Sequence, residues 1–194
     1  REPRQTKGRR INMRQQLLIA ALVAMTVAAC GDPSRAGDLP NDSDSAELMA
    51  TALRHLVSED HTFGQGPPPF TEYLIEDRTV DNAAVTSPEE DVDPAESRAL
   101  TERERAAVEE AISEYGPVRW VTDPSEWRTA DLQPVIEGSV IIGVGIPRLD
   151  GEGALVPVSL WCGGLCGTWL TYRLELDDVG TWQVTGTEGP IAIS

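Results

Sequence analysis

The segment WCGGLCG, residues 161–167, constrains the fold more than any other part of the sequence. Its two cysteines, Cys162 and Cys166, are separated by Gly-Gly-Leu. A three-residue loop that contains glycine predicts a β-hairpin. Paired residues of an antiparallel ladder have Cα atoms about 4.5 to 5.5 Å apart, a distance that a disulfide can bridge. We therefore predict a hairpin whose turn is closed by a Cys162–Cys166 disulfide.

The residues that follow the turn alternate in the way of a half-buried strand. Leu170, Tyr172, Leu174 and Leu176 fall on one side of the chain, and the residues between them fall on the other side. Further β-rich runs are separated by Gly, Pro and Asp, and their short connections favour hairpins. The predicted strands are residues 118–122, 139–146, 154–161, 168–176 and 181–185, with 73–75 as a shorter candidate.

Two helices are predicted before most of these strands. Asp44 with Glu47, and Thr101 with Glu104, have the spacing of capping boxes, and apolar residues at helical spacing follow each pair. The expected fold class is therefore α+β, with two N-terminal helices packed on one face of a four- to five-stranded antiparallel meander. We expect a single domain over residues 45–194.

The N-terminal part has the pattern of an exported protein. Residues 13–29 begin with a methionine and an arginine, continue with a mostly apolar run over 17–27, and end in two alanines. The run is too short to cross a hydrocarbon core of about 30 Å, and it is typical of a signal peptide. Residues 1–12 are interpreted as an upstream extension that takes no part in the fold.

The end of this leader, Val-Ala-Ala-Cys at residues 27–30, resembles the lipobox of bacterial lipoproteins. The resemblance implies that the leader is cut before Cys30 and that the Cys30 sulfur carries a diacylglyceryl group, with acyl chains such as palmitate. Two acyl chains anchor a protein stably where one is marginal. We expect an extracytoplasmic protein held to the cell membrane at Cys30, with residues 30–44 as a flexible tether. An ordinary secretory leader is the alternative.

The charge of the remaining chain narrows its partners. Residues 30–194 carry ten Lys and Arg against 31 Asp and Glu, a net charge of −21. Such a surface repels phosphate backbones, so we expect no nucleic-acid partner. The expected partners are the membrane, through the lipid on Cys30, and a protein or small molecule of unspecified kind.

A zinc site and a redox pair are the alternatives to a structural disulfide at the two later cysteines. A zinc site needs about four ligands, and the histidines lie about a hundred residues away. A thioredoxin-like pair has two intervening residues and opens a helix, whereas Cys162 and Cys166 have three in a β context. We expect a structural disulfide, no metal site and no cofactor; redox exchange remains the minor alternative.

The C-terminal part carries a second resemblance. The CGGLCG turn, the strand after it and the late Trp-Gln-Val-Thr-Gly of residues 182–186 are similar to the C-terminal module of secreted proteins and lipoproteins of high-GC bacteria. This resemblance covers about 25 residues and implies no particular reaction.

Two groups of residues are candidates for function. Trp161 and Trp169 flank the turn and fall on the strand face opposite Leu170, where they could form a recognition patch if they are not core. Asp60 and His61 could be an acid–base pair in a cleft. The expected function is non-enzymatic binding in the cell envelope. The alternatives are a hydrolase-type extracytoplasmic enzyme that uses His61 and Asp60, or thiol–disulfide exchange.

Overall fold

A computed structural model of the chain describes residues 38–64, 66–80 and 97–194. The predicted leader and the lipidation site Cys30 lie outside these residues. The two helices are α1 (Asp42–Ser58) and α2 (Glu102–Ser113), and a short 3-10 helix spans Pro124–Trp127. The strands are β1 (Glu72–Glu76), β2 (Val118–Val121), β3 (Ser139–Val144), β4 (Arg148–Asp150), β5 (Gly153–Gly163), β6 (Cys166–Leu176) and β7 (Trp182–Ile193).

The strands form one mixed sheet in the order β2-β1-β3-β5-β6-β7, with β4 paired to the start of β5. β1 runs parallel to both β2 and β3, and the other pairs are antiparallel. The prediction of a four- to five-stranded antiparallel meander is therefore wrong. The rule that short connections make hairpins holds only from β4 onward, since β3 and β4 both pair with β5 and not with each other. The links from β1 to β2 and from β2 to β3 are long enough to be crossover connections, which join parallel strands.

The two parallel connections lie on opposite faces of the sheet. α2, which joins β1 to β2, contributes Val108 and Ile112 to the main core. The segment that joins β2 to β3 instead places Trp127 on the other face, against Leu74. Right-handed connections that run in opposite directions along a sheet must use opposite faces. We call the face covered by α1 and α2 the helix face. The other face, which neither α1 nor α2 covers, is called the helix-free face.

The main core lies between the two helices and the helix face. β5 and β6 are paired over almost their whole length, so their alternate residues point to the same side in register, as in Val156 opposite Tyr172. α1 covers this surface with a stripe that includes Leu53 and Leu56, both fully buried. The alternation predicted for β6 is confirmed for Leu170, Tyr172 and Leu174, which all belong to this core. Leu176, predicted on the same side, is 50% exposed, because β5 begins opposite Glu175 and does not extend beside it.

Both helix starts are capped by side chains, but only one as predicted. The capping box of Thr101 and Glu104 is confirmed. α1 begins at Asp42, and its cap is Asn41, whose side chain accepts hydrogen bonds from the backbone of Ser43 and Asp44. Asp44 was a plausible cap because aspartate suits that position; asparagine three residues earlier takes the role.

The Glu104 carboxylate also ties the helices together. It is fully buried, and it accepts two hydrogen bonds from the Arg98 guanidinium, at 2.6 and 2.7 Å. The Ser45 hydroxyl of α1 donates to it at 2.6 Å, and the backbone N–H of Thr101 at 2.8 Å. Burial alone would raise the pKa of Glu104, but these donors outweigh it and lower the pKa to about 2.

We predict that Glu104→Gln lowers the free energy of unfolding at pH 7 by about 2 kcal/mol, because charge-assisted hydrogen bonds are lost. Glu104 has a depressed native pKa, so its contribution is complete above about pH 4.5 and disappears as the pH falls toward 2. The variant should therefore lose less stability than the wild type over that interval in urea titrations. Glu110→Gln, on the exposed side of α2, is the control and should behave as wild type.

Candidate functional site

The turn between β5 and β6 is closed by the predicted disulfide. Cys162 and Cys166 are bonded, with their Cα atoms 5.1 Å apart. The register differs in detail from a simple three-residue loop, since Gly163 pairs with Cys166 and a bulge falls between Trp161 and Gly163. Gly163 has φ +149°, which glycine adopts at little cost. The tight ring pushes Leu165 outward, and its side chain is 94% exposed.

The connection from β2 to β3 folds back on itself and contacts this turn. An isolated bridge joins Arg128 to Pro134, and the backbone N–H of Gly164 donates to the Leu132 carbonyl at 2.8 Å. Leu132 has φ +56°, a left-handed conformation that costs a residue with a side chain roughly 1 to 2 kcal/mol.

The loop after α1 contacts the same turn from another side. Thr62 has φ +67°, and its hydroxyl lies 3.7 Å from the Cys166 sulfur. Among the described residues, Thr62 and Leu132 are the only non-glycine positions with positive φ. Both touch the disulfide turn. Backbone strain of this kind concentrates at binding and active sites, where the surrounding structure maintains it. We call residues 61–64, 129–138 and 162–166 together the stapled tip.

The stapled tip exposes large apolar side chains. Phe63 is 56% exposed, Leu132 is 55% exposed and Val135 is 53% exposed, in addition to Leu165. A cleft of about 310 Å³ opens among these loops. Its lining consists of Phe63, Pro69, Phe70, Gln133, Pro134, Glu137, Gly138, Ser139 and Cys162. Apolar side chains grouped in this way on a charged protein mark an interaction surface.

A row of packed aromatic rings begins with Phe63 and Phe70, which line the cleft. Phe63 and Phe70 meet edge to face with centroids 5.6 Å apart, and Phe70 meets Tyr73 in the same way at 6.0 Å. The buried His61 ring lies 6.4 Å from Phe63, and its Nε2 is 3.1 Å from the Gly66 carbonyl. A carbonyl can only accept, so Nε2 carries the proton, and the buried Nδ1 has no partner among the described residues.

The structure does not join Asp60 to His61 as an acid–base pair. Asp60 instead accepts a hydrogen bond of 2.7 Å from the buried Tyr172 hydroxyl and lies 3.6 Å from Nε2 of His55. This contact attaches the end of α1 to β6, and burial followed by the Asp60 hydrogen bond raises the pKa of Tyr172. Asp60 and Tyr172 are 112 residues apart, and no sequence pattern announces such a pair.

Trp161 and Trp169 both lie on the helix-free face, as the strand alternation predicts. Trp161 is 7% exposed, and the Arg128 guanidinium stacks on its ring at 4.6 Å from the centroid. Trp169 is half-buried and packs on the same small cluster, with its ring over Gly167, where a Cβ would come within 2.5 Å of it. Trp169 is therefore more exposed than Trp161. That the pair forms a recognition patch remains a prediction.

The helix-free face also holds a carboxyl group with an unusual pKa. Glu76 ends β1, and its Oε1 and the Ser159 hydroxyl both lie over Gly143, where an added Cβ would be 3.1 and 2.7 Å from them. Burial raises the pKa of Glu76 to about 7, with Asp77 and Asp123 adding to the effect and Arg128 opposing it. Among the described residues no hydrogen bond to this carboxyl offsets the burial, which favours the protonated form near neutral pH.

The other features of the described chain do not form a site of comparable character. A cleft of about 270 Å³ lies over Arg98 and Glu104, whose polar groups already satisfy each other. Across residues 38–64, 66–80 and 97–194, no group of three His, Cys, Asp or Glu side chains is close enough to hold a metal ion. None of the helices in those ranges has the length and apolar composition that crossing a membrane requires.

No protein-family model matches the chain, and neither a curated protein nor a solved structure shows significant similarity to it. The candidate site therefore depends on its own geometry. The sequence did not identify Phe63, Leu132 or Val135 as exposed. The exposure of Leu165 could have been predicted from the sequence, because an apolar side chain in a three-residue loop cannot be buried by that loop.

We predict that Glu76 makes the protein less stable as the pH rises from about 4.5 to above 7. Its native pKa is raised, so the folded state holds the proton more tightly than the unfolded state, and folding is penalised once the carboxyl ionises. Glu76→Gln should remove a decline on the order of 2 kcal/mol after allowance for solvent screening. Urea titrations at pH 5 and 8 measure it, and the exposed Glu175→Gln is the control. An identical pH dependence in wild type and Glu76→Gln would contradict the assignment.

A pair of leucines tests the strain at the stapled tip. Leu132→Gly should raise the free energy of unfolding by up to about 1 kcal/mol, because glycine accepts φ +56° and the leucine side chain is mostly exposed. Leu165→Gly, at an exposed position without positive φ, should lower it by about 0.5 to 1 kcal/mol through unfolded-state entropy. Changes of the same sign in both variants would show that Leu132 is not strained.

Proposed function

We propose that this protein is a lipid-anchored cell-envelope protein that binds a partner outside the cytoplasmic membrane and does not catalyse a reaction. Acyl chains on Cys30 hold it, the following residues form the tether, and the domain presents the stapled tip. The observation that carries the binding role is the group of exposed apolar side chains around a disulfide-closed turn.

The construction of the stapled tip supports recognition. Three separate segments meet there: the disulfide closes the turn, the hydrogen bond from Gly164 to Leu132 joins it to the β2–β3 connection, and the Thr62 hydroxyl contacts the Cys166 sulfur. A surface that is rigid before binding loses less conformational entropy when a partner arrives. Apolar residues on rigid loops are costly to expose in the free protein, so a partner that covers them gains the corresponding hydrophobic free energy.

The attachment point of the tether favours a partner beyond the membrane surface. The Asp38 carbonyl accepts a hydrogen bond from the backbone of Leu149 in β4, which pairs with the end of β5 opposite the stapled tip. Eight residue steps from Cys30 to Asp38 span at most about 29 Å. Ala154, which pairs with Leu149, and Gly163 are nine residue steps apart in β5, or about 30 Å at 3.3 Å per residue. The two lengths are nearly equal, so a domain anchored at Cys30 would need a fully extended tether to bring its stapled tip upright against the bilayer.

The alternatives have less support. The hydrolase hypothesis depended on Asp60 and His61, which hydrogen-bond to other groups. Thiol–disulfide exchange would require Cys162 and Cys166 to react as thiols, and a reactive pair has a depressed thiol pKa beside a helix N-terminus or a cation. The disulfide instead contacts the Thr62 hydroxyl, and the cleft residues that accompany Cys162 include no lysine, arginine or histidine. We therefore favour a structural disulfide within a binding surface.

The anchor is tested by Cys30→Ser. We expect the variant to appear in the soluble fraction and to lose metabolic labelling with an alkynyl fatty acid, because the thioether to the lipid can no longer form. Cys162→Ser/Cys166→Ser is the matched control, since it removes two sulfurs and keeps Cys30, and it should retain the label. Labelling that persists in Cys30→Ser would refute the lipid anchor without bearing on the stapled tip.

A further inference from the structure

We propose that the cleft of the stapled tip receives one aromatic or large aliphatic side chain of a partner protein, flanked in the partner by arginine or lysine. This inference rests on the proposed binding function and specifies the chemistry of the partner. Three properties support it: the apolar lining of the cleft, the acidic charge of its rim, and the rigidity of its walls.

The lining selects an apolar group. Phe63, Phe70 and two prolines are four of the nine residues that line the cleft, and Cys162 is a fifth. Phe63 and Phe70 are already packed edge to face, and a ring inserted beside the exposed face of Phe63 would extend that arrangement. Small-molecule sites start at about 300 Å³, so a cleft of about 310 Å³ is suited to one large side chain rather than to a bulky cofactor.

The rim selects a positive partner. Residues 61–70, 129–138 and 162–166 contain Asp131 and Glu137 but no lysine or arginine, and Glu137 lines the cleft itself. Arg128 stacks on Trp161, which belongs to the cluster on the helix-free face, whereas Cys162 packs against the main core on the helix face. Charges of complementary sign guide association and exclude wrong partners.

The same charge disfavours the two other occupants of such a surface. A second copy of this chain would bring another net charge of −21, and an anionic membrane would repel the acidic rim. The disulfide and the contacts of Thr62 and Leu132 with its turn are already present in the free protein, which reduces the conformational entropy lost when a partner binds. A cationic segment with one apolar anchor is the occupant that fits all three properties.

The test uses the full chain in nanodiscs of zwitterionic phosphatidylcholine, with empty nanodiscs as the blank. Four acetylated, fluorescein-labelled heptapeptides are the probes: a central tryptophan or serine, each flanked on both sides by either two arginines or two glutamates, with glycine between. We expect the tryptophan–arginine peptide to bind at least tenfold more tightly than the other three. Its affinity should fall as salt rises, because the rim contributes electrostatically.

Three variants locate the binding. Phe63→Ser should weaken the tryptophan–arginine peptide at least tenfold, and Phe63→Leu, which keeps an apolar wall, should retain most of the affinity. Glu137→Gln should weaken it about two- to fourfold, as expected for one exposed charge at a rim. Val179→Ser removes an exposed apolar side chain from the turn between β6 and β7 and should leave the affinity unchanged.

Several outcomes would overturn the proposal. These are equal binding of arginine and glutamate peptides, wild-type affinity in Phe63→Ser, and self-association of the chain in nanodiscs at the same concentrations. Absence of binding by all four peptides would also reject this partner chemistry. None of these results alters the lipid labelling of Cys30, so a failure here is distinguishable from a failure of the anchor.

Discussion

The pairing of β5 with β6 is the constraint on which the rest of the structure depends. Their alternate residues are in register, so one continuous apolar surface faces the helices. α1 packs its apolar stripe on that surface, and α2 in turn packs against α1 and β2. A slip of one residue would move every one of these side chains to the opposite face. The disulfide between Cys162 and Cys166 lies at the closed end of the same hairpin, where it fixes the register at its origin.

The sequence was sufficient for features that are encoded locally. The hairpin turn, the alternation in β6 and the capping box of α2 each depend on residues a few positions apart, and each is confirmed. The topology was not predicted, because β1 pairs with β2 and β3 through contacts 40 to 70 residues distant in the chain. Parallel pairing leaves no turn signature in the sequence.

Only part of the candidate site could be predicted from the sequence, for the same reason. Leu165 and the cysteines are neighbours in the sequence, but Phe63 and Pro134 reach the cleft from two remote loops. The positive φ angles of Thr62 and Leu132 were not foreseeable, since neither is a residue that favours that conformation. The side of the strand on which Trp161 lies was predictable from alternation. The Arg128 guanidinium that covers its ring was not, because it comes from the returning β2–β3 connection.

The position of the tether relative to the stapled tip has a mechanical consequence. Asp38 contacts β4 at one end of β5, and the stapled tip occupies the other end. A pulling force between a membrane anchor and a captured partner would run along the strand axis. Inter-strand hydrogen bonds lie perpendicular to that axis, so the load would shear many of them together instead of opening them one after another. With the proposed anchor at Cys30 and a partner at the stapled tip, the strands would lie along the direction in which the domain is stretched.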